Sequence, residues 1–393
     1  YPANNAFIEN IKSEATEQVV RLRNHPCIAL WCGNNEVSEG WERWGWKDGL
    51  TQANRDSLQV AYDRIFLHLL PLIVSENTQS SYHHSSPLFG RGDVRSQLEG
   101  DMHDWGIWHD ELPLEELGQR VPRFMSEFGI QSYPSFEVLQ MMSAKGFSES
   151  DASVMRYQRH PRGFRLMRDY AERWYPGCSE LDYRRYAIIT QAVQAEGIVN
   201  AIIRQRVSQP YCSGTLFWQL NDIWPSFSWS ALDFAQNEKL LFKLLQEAYA
   251  PQTIATWVEN DSLKVFWLSD KVCDRDSAKL FLRLNPPGES IDFIPQDARF
   301  FENQPYSCQV QMGVKLIYSQ SLEKLMDKNW RGELVDWTLD CALQINGSND
   351  FVCARKFRLA PGSRKLIVPE VTEYPSNEKN STLKMRRQIF RKL

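Results

Sequence analysis

The chain has 393 residues, long enough for two or three domains that each bury a core of their own. A formal net charge of −4, with 24% charged residues, gives no sign of a nucleic-acid binder or a polybasic membrane surface. No run approaches eighteen consecutive apolar residues, so no membrane-spanning helix is expected.

The elements follow in chain order. Phe7, Ile8, Ile11, Ala15, Val19 and Leu22 recur at helical spacing, and Asn24-His25-Pro26 stops that helix, because a proline pushes the preceding residue out of the helical region. Cys27–Cys32 is a continuous apolar run of strand length, the mark of a parallel strand covered on both faces, and Gly33-Asn34-Asn35-Glu36 follows it directly. A second helix is expected over 55–74 and a short strand near 79–84. Short segments follow at Asp104–His109 and Pro122–Glu127, then a long helix from about 182 to 207, a fifth strand at Gly214–Gln219 and a helix at 237–249. Strands alternating with helices point to a parallel α/β architecture.

Pro251 marks a change of texture. Short β-rich runs at Ile254–Val258, Leu263–Leu268, Lys279–Leu284 and Leu366–Val368, split by turn residues, read as an antiparallel β-sandwich. The final stretch, with Lys384, Arg386, Arg387, Arg391 and Lys392, reads as a basic, loosely ordered tail. The expected division is 1–250, 251–370 and 371–393. The first residue is Tyr1 and no signal peptide precedes it, so the chain reads as an internal piece or a processed product.

None of the eight cysteines forms a CxxC pair, which argues against a zinc ribbon or a thioredoxin-like site, and Cys27 and Cys32 are expected to be buried free thiols. Three glycosylation sequons begin at Asn260, Asn346 and Asn380, a mild pointer to a lysosomal or secreted home in a eukaryote; a bacterial protein would be cytoplasmic or periplasmic. Fourteen tryptophans, many of them between 31 and 108 or 218 and 229, offer indole faces suited to the apolar face of a sugar ring. His83, His84, His103 and His109 sit near Asp101, Asp104 and Asp110, but no ligand spacing fits a metal site, and they read as loop histidines.

Two candidate strands end in a carboxylate-bearing motif, Trp31-Cys32-Gly33-Asn34-Asn35-Glu36 and Phe124-Met125-Ser126-Glu127-Phe128-Gly129, and a third ends in the aromatic cluster Trp218–Pro225. Functional residues of α/β barrels gather at strand C-terminal ends, and glycoside hydrolysis needs an acid and a second carboxylate on either side of the scissile bond. Together with Arg23–Pro26, Gly100–His109 and Ser126–Ser132, these segments resemble the C-terminal half of a glycoside hydrolase family 2 β-mannosidase.

The resemblance implies an α/β fold, namely barrel strands four to eight of a (β/α)8 TIM barrel with their helices, followed by an all-β immunoglobulin-like sandwich domain. It implies a retaining exo-β-mannosidase acting on terminal β-mannose of an oligosaccharide or glycan. Glu36 matches the acid/base, Glu127 the nucleophile, Asn35 the residue bonding the 2-hydroxyl and Trp218 the platform under the sugar, while Trp44 and Trp105 match lining aromatics. No cofactor is implied, and no histidine follows Glu36 within thirty residues where related galactosidases place a metal ligand. Five strands are counted where a barrel needs eight, so the piece is expected to be inactive until the missing N-terminal half completes it. The other readings are a family 2 glucosaminidase, galactosidase or glucuronidase, or a non-catalytic carbohydrate-binding remnant.

Overall fold

The computed structural model describes residues 2, 4–143, 149, 152–260, 262–271, 276–285, 305–321, 324, 337–345 and 353–359. The run at Leu366–Val368, the basic tail, the sequons at Asn346 and Asn380, and the middle residue of the sequon at Asn260 lie outside the described residues. The chain divides into two compact units, each built from several segments.

The first unit comprises Tyr1–Asp104, Val121–Glu127 and Tyr211–Leu216. Helix α1, Asn5–Leu22, opens on Asn4, whose side-chain oxygen accepts from the amide of Phe7 at 2.9 Å and so satisfies one orphan donor of the first turn. Strand β1 is Leu30–Cys32 and helix α2 is Val37–Arg43. Helix α3, Gln52–Tyr62, runs through a π-helical segment at Asp63–Leu69 into helix α4, Leu70–Asn77, and strand β2 is Ser81–His83. One face of α1 buries Ile8 against Ile65 and Phe66, and Val19 against Ile73 and Val74, which is the helical spacing of the sequence turned into packing. β1 and β2 pair in parallel, with Trp31 opposite Tyr82.

The burial of β1 differs from expectation. Leu30 is 39% accessible, and Cys27 and Cys32 are both exposed rather than buried. A continuous apolar run implies cover on all sides, but among the described residues β1 has a strand neighbour, β2, on one edge only. Strand β3, Met102–Asp104, pairs with β4, Met125–Phe128. The expected fifth strand contracts to a single parallel bridge between Thr215 and Met125, fixed by Met125 donating to the carbonyl of Gly214 and Leu216 donating to that of Met125.

The second unit comprises Trp105–Arg120, Phe128–Pro210 and Phe217–Leu393. It holds α5, Gly106–His109; α6, Phe136–Met142; α7, Ala152–Met155; α8, Gly163–Trp174; α9, Tyr183–Val207; and α10, Leu240–Ala248. α9 passes by length and composition for a membrane span, as does the stretch 52–77, but 72% of its window is buried and it acts as a core helix. Gln194 in the middle of α9 donates to the carbonyls of Ile130 and Trp229 and accepts from Ser132 Oγ at 2.7 Å, so one buried amide pins two loop segments.

The strands after Pro251 are β5, Gln252–Glu259; β6, Ser262–Ser269; β7, Asp276–Asn285; β8, Tyr306–Val310; β9, Gly313–Ser321; β10, Trp337–Ile345; and β11, Cys353–Leu359. They form a three-stranded sheet in the order β5-β6-β9 and a four-stranded sheet in the order β11-β10-β7-β8, both antiparallel. Alternate residues of both sheets meet in one buried cluster, with Leu263, Val265 and Trp267 from one and Leu280, Leu339, Cys341 and Leu343 from the other.

Arg206, near the end of α9, ties the helices to these sheets. Its guanidinium donates to the terminal carbonyls of Ala248 and Ala250, at 2.6 and 2.9 Å, and pairs with Asp270 just after β6 at 2.9 Å. The last carbonyl of α10 and one two residues beyond it are satisfied by one planar cation, a geometry that an ammonium cannot copy. Replacing Arg206 with Met is expected to cost about 1–3 kcal/mol of stability, because both carbonyls lose their donor. A urea midpoint unchanged from the wild type contradicts that assignment.

Candidate active site

The turn after β1 is built by close backbone approach. Gly33 donates to the carbonyl of His83, Ser86 to that of Asn34 and Glu36 to that of Ser86, so the ladder continues past β1 as an Asn35–Ser86 bridge. A Cβ on Gly33 would lie 2.4 Å from the Tyr82 hydroxyl and 2.7 Å from the carbonyl oxygen of His84, so no larger residue fits. Asn34 locks the turn with its side chain. Its Nδ2 donates to the carbonyl of His84 at 2.7 Å, while its Oδ1 accepts from Val37 N–H at 3.1 Å and from Ser85 Oγ at 2.8 Å. Glu36, at the N-terminal cap of α2, adopts φ 58°, a left-handed conformation that a glutamate holds only when its surroundings over-determine it.

Asp101, just before β3, is buried and accepts three hydrogen bonds. Ser86 Oγ and Ser126 Oγ donate to its Oδ2 at 2.5 and 2.6 Å, and the amide of Leu88 donates to its Oδ1 at 2.9 Å. One carboxylate therefore ties the turn after β2 to β4. Two residues on, in β3, His103 presents both ring nitrogens to this network. Nδ1 lies 2.7 Å from Glu36 Oε1 and 3.5 Å from Glu127 Oε2 in β4, and Nε2 lies 3.0 Å from Ser86 Oγ.

Glu36, His103 and Glu127 thus come from three separate strand regions, yet one ring nitrogen and one carboxylate oxygen from each glutamate lie within 4.8 Å of one another. The two glutamate side chains keep 16% and 13% of their surface accessible, while that of His103 keeps 1%. A pair of reachable carboxylates therefore flanks a fully enclosed imidazole. Burial alone would lower the His103 pKa, but the hydrogen bond with Glu36 and the charges of Glu127, Glu36 and Asp101 outweigh it, and the net shift is upward from 6.5. Two carboxylates and an imidazole have the composition of a metal site. Here, however, Nδ1 already serves Glu36 and Nε2 serves Ser86, so this is a closed hydrogen-bonded set rather than an open ligand set.

Of the residues singled out by sequence, Glu36 and Glu127 come together, and Asn35 is exposed beside them in the chain. Trp44 caps the C-terminal end of α2, about 10 Å of helix from Glu36, is 43% accessible and meets Trp46 edge to face at 5.7 Å. Trp105 and Trp218 belong to the second unit. There the backbone of Trp218 and the rings of Trp105 and Trp229 pack around Gly129, and the Trp218 side chain is 41% accessible. His103 corrects the reading of a loop histidine: it is a buried strand residue between the two glutamates. Ser86, Asp101 and Ser126 are likewise new to the site. Asp101 lies in the Gly100–His109 segment and Ser126 beside Glu127 in its motif, but their partners lie on other strands, so neither motif reveals the contacts.

No protein-family model matches the chain. In sequence it is 30% identical over 276 residues to a β-mannosidase B from Thermothelomyces thermophilus, covering 65% of this chain and 31% of that protein. It is 31% identical over 275 residues to a β-mannosidase B from Emericella nidulans, covering 67% and 32%. In structure it is similar to a β-D-mannosidase from Dictyoglomus thermophilum with a TM-score of 0.74 at 22% identity, covering 94% of this chain and 42% of that one. The matched region therefore spans about a third of the length of these curated relatives.

Two outcomes follow from the site geometry. Gly33→Ala is expected to lower stability by about 1–3 kcal/mol, since a methyl group must displace backbone; an unchanged thermal midpoint contradicts the close approach. Because the folded pKa of His103 is raised, the stability it contributes is complete below 6.5 and is lost as pH rises through its higher folded value. Denaturant titrations of wild type and His103→Gln are expected to diverge least at the alkaline end of that window. A constant difference across pH contradicts it.

Proposed function

We propose, starting from the chain's kinship with the β-mannosidases of glycoside hydrolase family 2, that it carries the two catalytic carboxylates of a retaining exo-β-mannosidase. The single observation that supports this reading most is the Glu36–His103–Glu127 cluster, in which one ligand atom from each residue lies within 4.8 Å of the others. Retaining enzymes place their carboxyl groups about 5–5.5 Å apart, whereas inverting enzymes need about 6.5–9.5 Å to admit a water.

The chemistry runs in two displacements. Glu127 attacks the anomeric carbon as Glu36 protonates the departing glycosidic oxygen, leaving mannose esterified to Glu127. Glu36 then takes a proton from water, the hydroxyl attacks the same carbon, and the ester bond to Glu127 breaks with net retention. By the resemblance, Asn35 bonds the 2-hydroxyl, Trp218 lies under the sugar, and Trp44 and Trp105 line the approach. The assignment needs no cofactor.

The fold that goes with this function is barrel strands four to eight, contributed by β1, β2, β3, β4 and the Gly214–Gln219 segment, followed by an immunoglobulin-like sandwich made of the two antiparallel sheets. The domains then span 1–250 and 251–370, with 371–393 as a tail. The edge of β1 that has no strand partner among the described residues, with Leu30 and Cys32 exposed, supports the view that three further strands must complete the barrel before hydrolysis proceeds.

A panel of nitrophenyl β-glycosides tests the reading, with the chain assayed alone and with the N-terminal half of a family 2 relative supplied in trans. The expected result is turnover of the mannoside in the complemented sample, and a 2-fluoro mannoside label on the peptide bearing Glu127. Glu127→Ala is expected to abolish labelling. Glu36→Ala is expected to lower the rate by roughly 10²–10⁴ with poor leaving groups and far less with a dinitrophenolate. Turnover of a glucosaminide, galactoside or glucuronide instead moves the assignment to another family 2 exo-glycosidase. Sugar binding with no turnover in any sample contradicts the catalytic reading.

A further inference from the structure

The hydrogen-bond directions around His103 determine where its protons sit. Asp101 has three donors aimed at its two oxygens: the hydroxyls of Ser86 and Ser126 and the amide of Leu88. Such a carboxylate is an acceptor on both oxygens. The single hydroxyl proton of Ser86 is therefore committed to Asp101, and the Ser86 oxygen can only accept from the ring, which lies 3.0 Å away. Nε2 of His103 carries the hydrogen. Nδ1 then faces Glu36 Oε1 across 2.7 Å, a contact that requires one proton between the two atoms.

We propose that Glu36 and His103 share a single proton across that contact, and that the Asp101–Ser86 chain makes His103 the positioning residue that keeps this proton on the acid/base. The proposal rests on the reading of Glu36 as acid/base. Three charged groups face the ring, Glu36 from the turn after β1, Glu127 from β4 and Asp101 from the approach to β3, while the turn after β2 offers the uncharged Ser86. All three are acidic, so each favours keeping the shared proton in place.

The balance through a cycle is explicit. In the first displacement the shared proton leaves with the departing oxygen as the glycosidic bond breaks and the bond from Glu127 to carbon forms. Glu36 is then an anion opposite an Nδ1 lone pair, because the Asp101–Ser86 chain holds the ring's other hydrogen on Nε2. Two acceptors at 2.7 Å repel each other, which strengthens Glu36 as the base that takes a proton from water in the second displacement. The water oxygen bonds to carbon, the Glu127 ester breaks, and the shared proton is restored. His103 thus acts on the reaction through Glu36 without touching the sugar.

The test does not need turnover. The full chain is labelled with nitrogen-15 in its histidines, His103 is assigned by loss of its signals in His103→Gln, and the ring nitrogens are titrated by NMR. The expected result is an Nε2–H ring with a midpoint above 6.5, a midpoint lowered by roughly one pH unit or more in Glu36→Gln, and a mixed tautomer in Ser86→Ala, with circular dichroism confirming that the variants fold. A neutral ring protonated on Nδ1, or a midpoint that Glu36→Gln leaves in place, overturns the proposal.

In the complemented enzyme, His103→Gln is expected to move the alkaline limb of kcat/KM down by about one pH unit. A uniform loss of rate with the limb unmoved assigns His103 a purely structural role and also overturns the proposal. If the NMR result is as expected but no glycoside is hydrolysed, it is the enzymatic reading that fails, and the two failures stay distinct.

Discussion

Glu36 and Glu127 bring one carboxylate oxygen each to within 4.8 Å of the other, and like charges that close disfavour each other, so what lies between them matters. The His103 imidazole meets that constraint, and much of the first unit's local structure serves to place it. β3 must pair with β4 so that His103 and Glu127 face the same space. The turn after β1 must bring Glu36 back over β2, which only a glycine at position 33 allows. Asp101 must accept from residues on both sides to hold the register. Each of these conditions is local, and together they bring three titratable side chains from separate strand regions to one place.

The left-handed backbone at Glu36 belongs to the same logic. A glutamate at φ 58° is strained by about 1–3 kcal/mol, and the strain persists because the Asn34 side chain and the Ser86 backbone close the turn on either side of it. The strained residue is also the one assigned the acid/base role, in keeping with strain being concentrated where function requires an unusual direction of approach.

Sequence patterns reached the long-period elements and the strand-end glutamates. α1, α9, α10 and strands β5 to β7 lie within a few residues of where periodicity and turn residues put them, because each depends on its own neighbours in the chain. Glu36 and Glu127 are legible because each sits in a short motif that ends an apolar run. His103 is not legible, since its role depends on Glu36, Ser86 and Glu127, which lie between 17 and 67 residues away in sequence. The exposure of Cys32 is hidden for a related reason: apolar composition reports what a strand can be covered by, not which neighbours are present. α8 lies where the sequence reading places no element at all, between Pro161 and Pro176.

Under the proposed function, Glu127 forms a covalent glycosyl intermediate that Glu36 helps to resolve. The anomeric configuration of the first sugar released reports this most directly, read by proton NMR in the first minutes of hydrolysis before mutarotation. β-Mannose is expected to appear first, with the α-anomer growing in later. Release of α-mannose as the first product would mean a single displacement, and would contradict both the role of Glu127 and the meaning given to its closeness to Glu36.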